Sequence, residues 1–120
     1  MRGLTMLVAT TDAERFHAAL TYAAAGAAMG TAVRLHLHEG AVSLLGAPLA
    51  ASGDVARAKA GLPTLSEIFE EALNLGVSVT ACQSGLALAG LDLAQLDSRI
   101  DTQGPVGLLA ALGDDRLLVF

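Results

Sequence analysis

The chain has 120 residues, which fits one domain spanning 1–120 with a core large enough to need no staples. Its hydrophobic content is 53%, much of it alanine, with few aromatics and no tryptophan, a composition suited to helices packed closely on a sheet. A net charge of -5 with scattered Lys and Arg excludes the electrostatic footprint of a nucleic-acid binder and the basic face of a membrane-surface helix.

Leu4 to Ala9 reads as a buried first strand. Asp12 or Thr11 caps the helix that follows, with Phe16, Ala19, Leu20, Ala23 and Ala27 on one face and Gly30 as its stop. Ala32 to His38 is a second strand, in which Val33, Leu35 and Leu37 alternate with Arg34, His36 and His38. Glu39-Gly40 turns the chain into the short apolar segment Ala41 to Leu45. Gly46 to Pro63, rich in Gly and Pro, reads as a long connection of the mobile or functional kind, with a short helix over Asp54 to Ala60. Thr64 or Ser66 opens an amphipathic helix with Leu65, Ile68, Phe69, Ala72 and Leu73 on one face and Gly76 at its end. Val77 to Ala81 is a strand closed by Cys82. Ser84 to Ala89 forms a short helix ending at Gly90, and Leu93 to Leu96 a further turn. Ser98 to Asp101 leads to Gln103-Gly104-Pro105, and Pro105 suits the first turn of a helix running to Leu112. Arg116 to Phe120 is a terminal strand.

Strands alternating with helices from end to end predict a single α/β domain: a mainly parallel central sheet with helices on both faces. The N-terminus does not read as a signal peptide, because Asp12 and Glu14 follow a short apolar run at once. Phe16 to Val33 carries no formal charge but is mainly Ala, Gly and Thr, which reads as a packed helix rather than a bilayer span. The expected location is cytoplasmic, where a lone free cysteine stays reduced. The mean hydropathy of +0.56 is high for a small monomer and points to apolar surface covered by further subunits.

Ligand sites in such sheets lie beyond the carboxyl ends of the strands. Thr10-Thr11-Asp12, His36-Leu37-His38-Glu39 and Ala81-Cys82-Gln83 reach that edge. Cys82 is the only cysteine. At the end of a strand and the start of a helix it is suited to be a nucleophile, because oriented N–H groups favour a thiolate. A buried, inert cysteine filling space is the competing reading. His36 and His38 share one side of their strand and are candidates to assist by moving a proton. The bland reading makes them a polar face at a strand end or at a subunit interface. Two histidines alone do not complete a zinc site, Glu39 and Cys82 being the residues that could join them, and no metal is expected. His17 reads as structural, and Glu67, Glu70 and Glu71 as a solvated helix face. No dinucleotide fingerprint, phosphate loop, Cys-x-x-Cys or nucleophile elbow is present, so no cofactor is expected.

The order of these pieces resembles the DsrE/DsrF-like family of sulfur-relay proteins, including its TusD type. The points of similarity run from the opening strand and Ala-rich helix through Glu39-Gly40-Ala41-Val42-Ser43-Leu44-Leu45. They continue in Leu65 to Gly76, the strand Val77-Ser78-Val79-Thr80-Ala81 with Cys82, Gly90-Leu91, Gly104-Pro105-Val106-Gly107, and Leu118-Val119-Phe120. The resemblance implies a parallel α/β fold, assembly into trimers or hexamers, and a cysteine at the Cys82 position that accepts sulfane sulfur as a persulfide. It implies sulfur donor and acceptor proteins as partners. Some relatives lack the cysteine and serve as structural subunits, and others are described as peroxiredoxin-like. The alternatives are therefore a non-catalytic oligomeric scaffold or binding module of the same fold, and a thiol peroxidase-like protein that forms a sulfenic acid at Cys82. A scaffold predicts a buried thiol that alkylates slowly, whereas an exposed thiolate with a pKa below the ordinary thiol value counts against it.

Overall fold

In the structure, a computed structural model that describes residues 2–120, five strands form one all-parallel sheet. The strands are β1 (Leu4–Val8), β2 (Val33–Leu37), β3 (Ser78–Ala81), β4 (Asp101–Thr102) and β5 (Arg116–Val119), in the spatial order β4-β3-β2-β1-β5. The connections carry α1 (Ala13–Ala28), α2 (Asp54–Lys59), α3 (Leu65–Asn74), α4 (Gln83–Ala89) and α5 (Pro105–Leu112). Short 3-10 segments lie at Glu39–Leu45 and Leu93–Gln95. The α/β reading of the sequence is the observed architecture.

One face of the sheet is the core. Met6, Val8, Leu35, Leu37, Val79 and Ala81 are buried there, because alternate side chains of neighbouring parallel strands line up on one side. Helices α1 and α3 cover this face. Asp12 caps α1 by accepting the Glu14 N–H at 2.9 Å, and the stripe Phe16, Ala19, Leu20, Ala23 faces inward. Gly26 lets α1 approach β2, since a Cβ there would lie 3.1 Å from Val33 Cγ2. Thr64 and Glu67 form a capping box at the start of α3, which buries Leu65, Ile68, Phe69, Ala72 and Leu73. The Phe16 and Phe69 rings, 6.3 Å apart, join the two helices. Each such side chain, fully buried, contributes roughly 1.5–3 kcal/mol.

The last crossover reverses direction. The chain moves outward from β1 to β2, β3 and β4, then crosses the whole sheet to reach β5 on the other side of β1. A right-handed crossover running backward must place its helix on the opposite face. Accordingly α5 lies against Leu7 and His36 rather than against Met6 and Leu35. This reversal puts α5 on the same face of the sheet as His36.

Two sequence readings need adjusting. The two-residue strand β4 lies in the stretch read only as a lead into Gln103-Gly104-Pro105. The Gly- and Pro-rich stretch from Gly46 to Pro63 is tied down. The Glu14 carboxylate accepts the Gly53 N–H at 2.9 Å and pairs with Arg57, while Asp54 accepts the N–H groups of Ala51 and Leu65, each at 2.9 Å. Among the described residues no helix is long and apolar enough to cross a membrane.

Candidate functional site

Cys82 stands where β3 hands over to α4. Its N–H donates to the Leu37 carbonyl at 3.1 Å, which extends the β2–β3 ladder by one residue. Its backbone is still extended, with φ -75° and ψ 142°, and its carbonyl accepts the Leu86 N–H at 3.1 Å. It is therefore the N-cap of α4, a position where a side-chain acceptor meets unpaired helix N–H groups.

Two N–H groups and one hydroxyl converge on the sulfur. The Gly85 N–H points to Sγ at 3.1 Å, the Glu39 N–H at 3.2 Å, and the Ser84 hydroxyl lies at 3.0 Å. A thiolate can accept from all three, whereas a neutral thiol must spend its proton on one partner. Burial is the largest single influence on Cys82 and pushes the thiol up. The Ser84 hydroxyl and the N–H groups of Glu39 and Gly85 together outweigh it and hold the thiol below its ordinary value. The Glu39 carboxylate opposes them weakly. Cys82 is only 2% exposed, so the sulfur is polarised but covered.

Two local features build this cradle. Glu39 is the one non-glycine among the described residues at positive φ, 43°. Such a conformation costs on the order of 1–3 kcal/mol and persists where the surroundings hold it. Gly85 packs directly against the segment beginning at Glu39, since a Cβ there would lie 2.3 Å from Val42 Cγ2 and 2.5 Å from the Glu39 carbonyl. Only a glycine allows α4 to sit this close to the Glu39–Leu45 segment. Two backbone N–H groups, one from each element, converge on the sulfur as a result.

The two histidines stand elsewhere. His36 Nδ1 is 2.8 Å from Thr80 Oγ1, its register partner on β3. His36 is 1% exposed, so the expected polar face at this strand is, at His36, a buried one beneath α5. Burial first, and the neighbouring His38 second, push its imidazole below the ordinary value. His38 is half-exposed, and its Nε2 lies 3.7 Å from the Glu39 carboxylate. Neither histidine has a hydrogen bond to Cys82. His38 immediately precedes Glu39, whose N–H does reach the sulfur. His17 bonds the Pro63 carbonyl at 3.0 Å, in keeping with a structural role. Among the described residues no three His, Cys, Asp or Glu side chains gather to hold a metal ion.

Sequence reasoning located Cys82 and a helix N-terminal N–H group beside it, the role Gly85 fills, but missed the Ser84 and Glu39 donors. Ser84 was legible in principle, two residues into a helix capped by the cysteine. The Glu39 N–H was not, because nothing local marks the approach of Glu39 to Cys82.

No protein-family model matches the sequence, and no curated protein matches it. Among solved structures the chain is similar to the crystal structure of the ychN protein from E. coli, with a TM-score of 0.76 over 100% of both chains at 19% sequence identity. The likeness establishes a shared fold across the full length of the chain.

Proposed function

We propose that this chain is a DsrE-like sulfur-relay protein that carries sulfane sulfur as a persulfide on Cys82 and passes it to a partner protein. The observation that carries the reading is the triple-donor cradle around Cys82 Sγ, which favours the thiolate in spite of burial. The shared fold with ychN supports it. In the loading step the Cys82 thiolate attacks the outer sulfur of a donor persulfide. A Cys82 S–S bond forms, the donor S–S bond breaks, and its electron pair leaves on the donor thiolate. In the unloading step an acceptor thiolate attacks the outer sulfur, and Cys82 departs as thiolate into the same three donors. The two steps need no external oxidant or reductant.

Donor and acceptor are proteins bearing reactive thiols, and the compartment is a reducing cytoplasm. The chain assembles with copies of itself into a trimer or hexamer. Exposed Val106 and Val119, 83% and 63% accessible, supply apolar surface for that assembly. His36 and His38 enter this reading as assisting residues only through the backbone they share with Glu39.

The test is intact mass before and after exposure to a small persulfide donor. Wild type gains one sulfur atom and Cys82→Ser gains none. Absence of the gain, or an equal gain in Cys82→Ser, refutes the carrier reading. One observation favours a second reading, an oligomeric scaffold: the 2% exposure of Cys82 is that of a core residue. A thiol that stays unreactive towards small reagents supports the scaffold.

A further inference from the structure

The face of the sheet opposite the main core holds a cavity of about 210 Å³ between β1, β2 and α5. Its walls are Leu7, Pro105, Leu108 and Leu109, with His36 and His38 beside them. The lining is almost wholly apolar except for one group. His36 is 1% exposed and its Nδ1 is committed to Thr80 Oγ1. The other ring nitrogen, Nε2, has no protein partner among the described residues. None of those residues has a fully buried polar side-chain atom without a partner, so Nε2 keeps its contact with open space through the cavity that His36 lines.

A histidine placed only for packing normally has both ring nitrogens bonded to protein groups. Here the fold leaves one nitrogen facing hydrocarbon walls. That arrangement matches a small-molecule site: an apolar cleft with a single polar group that fixes orientation.

We propose that this cavity binds a small uncharged aromatic alcohol or phenol, its ring against Leu7, Leu108 and Leu109 and its hydroxyl hydrogen-bonded to His36 Nε2. The size is adequate, because apolar cavities of about 150 Å³ admit benzene. The hydroxyl follows from the Thr80 contact. If Nδ1 donates to Thr80, Nε2 is an acceptor, and if Thr80 donates to Nδ1, Nε2 carries the proton. A hydroxyl suits both tautomers, since it donates and accepts. Charged ligands are disfavoured because the walls offer no counter-charge and burial costs an unpaired ion heavily. The proposal stands apart from Cys82 chemistry and does not depend on it.

The experiment titrates phenol into the full-length protein, in whatever assembly it forms, and reads the His36 ring resonances by NMR. Benzene and benzoate serve as comparison probes. Phenol shifts the His36 resonances saturably and binds about fivefold tighter than benzene, the ratio that one net hydrogen bond of about 1 kcal/mol gives, while benzoate does not bind. His36→Phe abolishes the preference for phenol over benzene. Leu109→Trp, at a position already 64% exposed, blocks the cavity without touching the His36–Thr80 pair and abolishes both. The proposal is overturned if the His36 resonances do not respond to phenol, if benzene binds as well as phenol, or if Leu109→Trp leaves binding intact. A face sealed by a second copy shows itself as the first of these outcomes.

Discussion

The chemistry of Cys82 is set by groups that differ in kind. Ser84 contributes a side-chain donor that can be removed without disturbing the fold. Glu39 contributes a backbone N–H that pulls the thiol down and a carboxylate that pushes it up. Gly85 contributes an N–H and, by lacking a side chain, the close approach that makes the other contact available. These opposed effects give a prediction with two signs. The rate of alkylation by a small uncharged reagent rises with pH as the thiolate forms, with a midpoint below the ordinary thiol value. Ser84→Ala removes the largest stabilising donor and moves that midpoint up. Glu39→Gln removes the opposing charge but keeps the N–H, and moves it down. A profile that neither substitution displaces contradicts the cradle and favours an inert core cysteine. The position of Cys82 was legible because a strand and a helix meet there in sequence. The cradle was not, because its second N–H comes from Glu39, distant in sequence from Cys82, and sequence spacing gives no hint of that contact.

At the scale of elements, β2 shows how a correct pattern leads to a mistaken surface. The alternation of Val33, Leu35 and Leu37 with Arg34, His36 and His38 predicted the strand and its core face correctly. It also suggested that the histidine side is polar. In a parallel sheet both faces are covered, and here the cover on the second face is α5, brought by the backward crossover to β5. The strand cannot announce which helix will cross it. Burial of His36 has a thermodynamic consequence. Its imidazole is held below the ordinary value of 6.5, chiefly by desolvation. The unfolded chain therefore binds this proton at a higher pH than the folded chain does. The contribution of neutral His36 is complete above 6.5 and is lost as the pH falls through the lower folded value. The paired carboxylates Glu14, Asp54 and Asp97 are held low as well, so their contributions fall away only in a more acidic range. Urea midpoints measured from about pH 7 down to about pH 5 should therefore decline in wild type. His36→Gln, which keeps a polar group opposite Thr80, should flatten that decline. An equal decline in the two proteins would remove His36 as its source.

Across the whole molecule, apolar surface is distributed unevenly. The main core is closed by α1 and α3, yet β5 is an edge strand with all four residues exposed. Leu117 and Val119 point to one face and Leu118 to the other, at 45%, 63% and 41% exposure. Helix α5 is apolar on nearly every side, though Leu108 alone is buried and Val106 is 83% exposed. A helix of that composition is ordinarily buried on all sides. An apolar edge strand left bare invites pairing with another chain, and soluble proteins usually blunt such edges with charge or proline. Arg116 is the only charge that β5 carries. The high mean hydropathy pointed to covered surface, but composition could not say where, because it averages a dense core with a bare edge. We expect self-association through the apolar edge β5 and the exposed α5 residue Val106. Light scattering coupled to size exclusion should report a multimer for wild type, and Cys82→Ser should leave it unchanged. Val119→Asp combined with Val106→Asp should shift the population towards monomer. Both positions are largely exposed, so neither substitution opens a core cavity, and the cost of each to folding stability should stay within about 1 kcal/mol. A wild-type protein that runs as a monomer at high concentration would refute the assembly. A multimer indifferent to both substitutions would move its interface away from this edge.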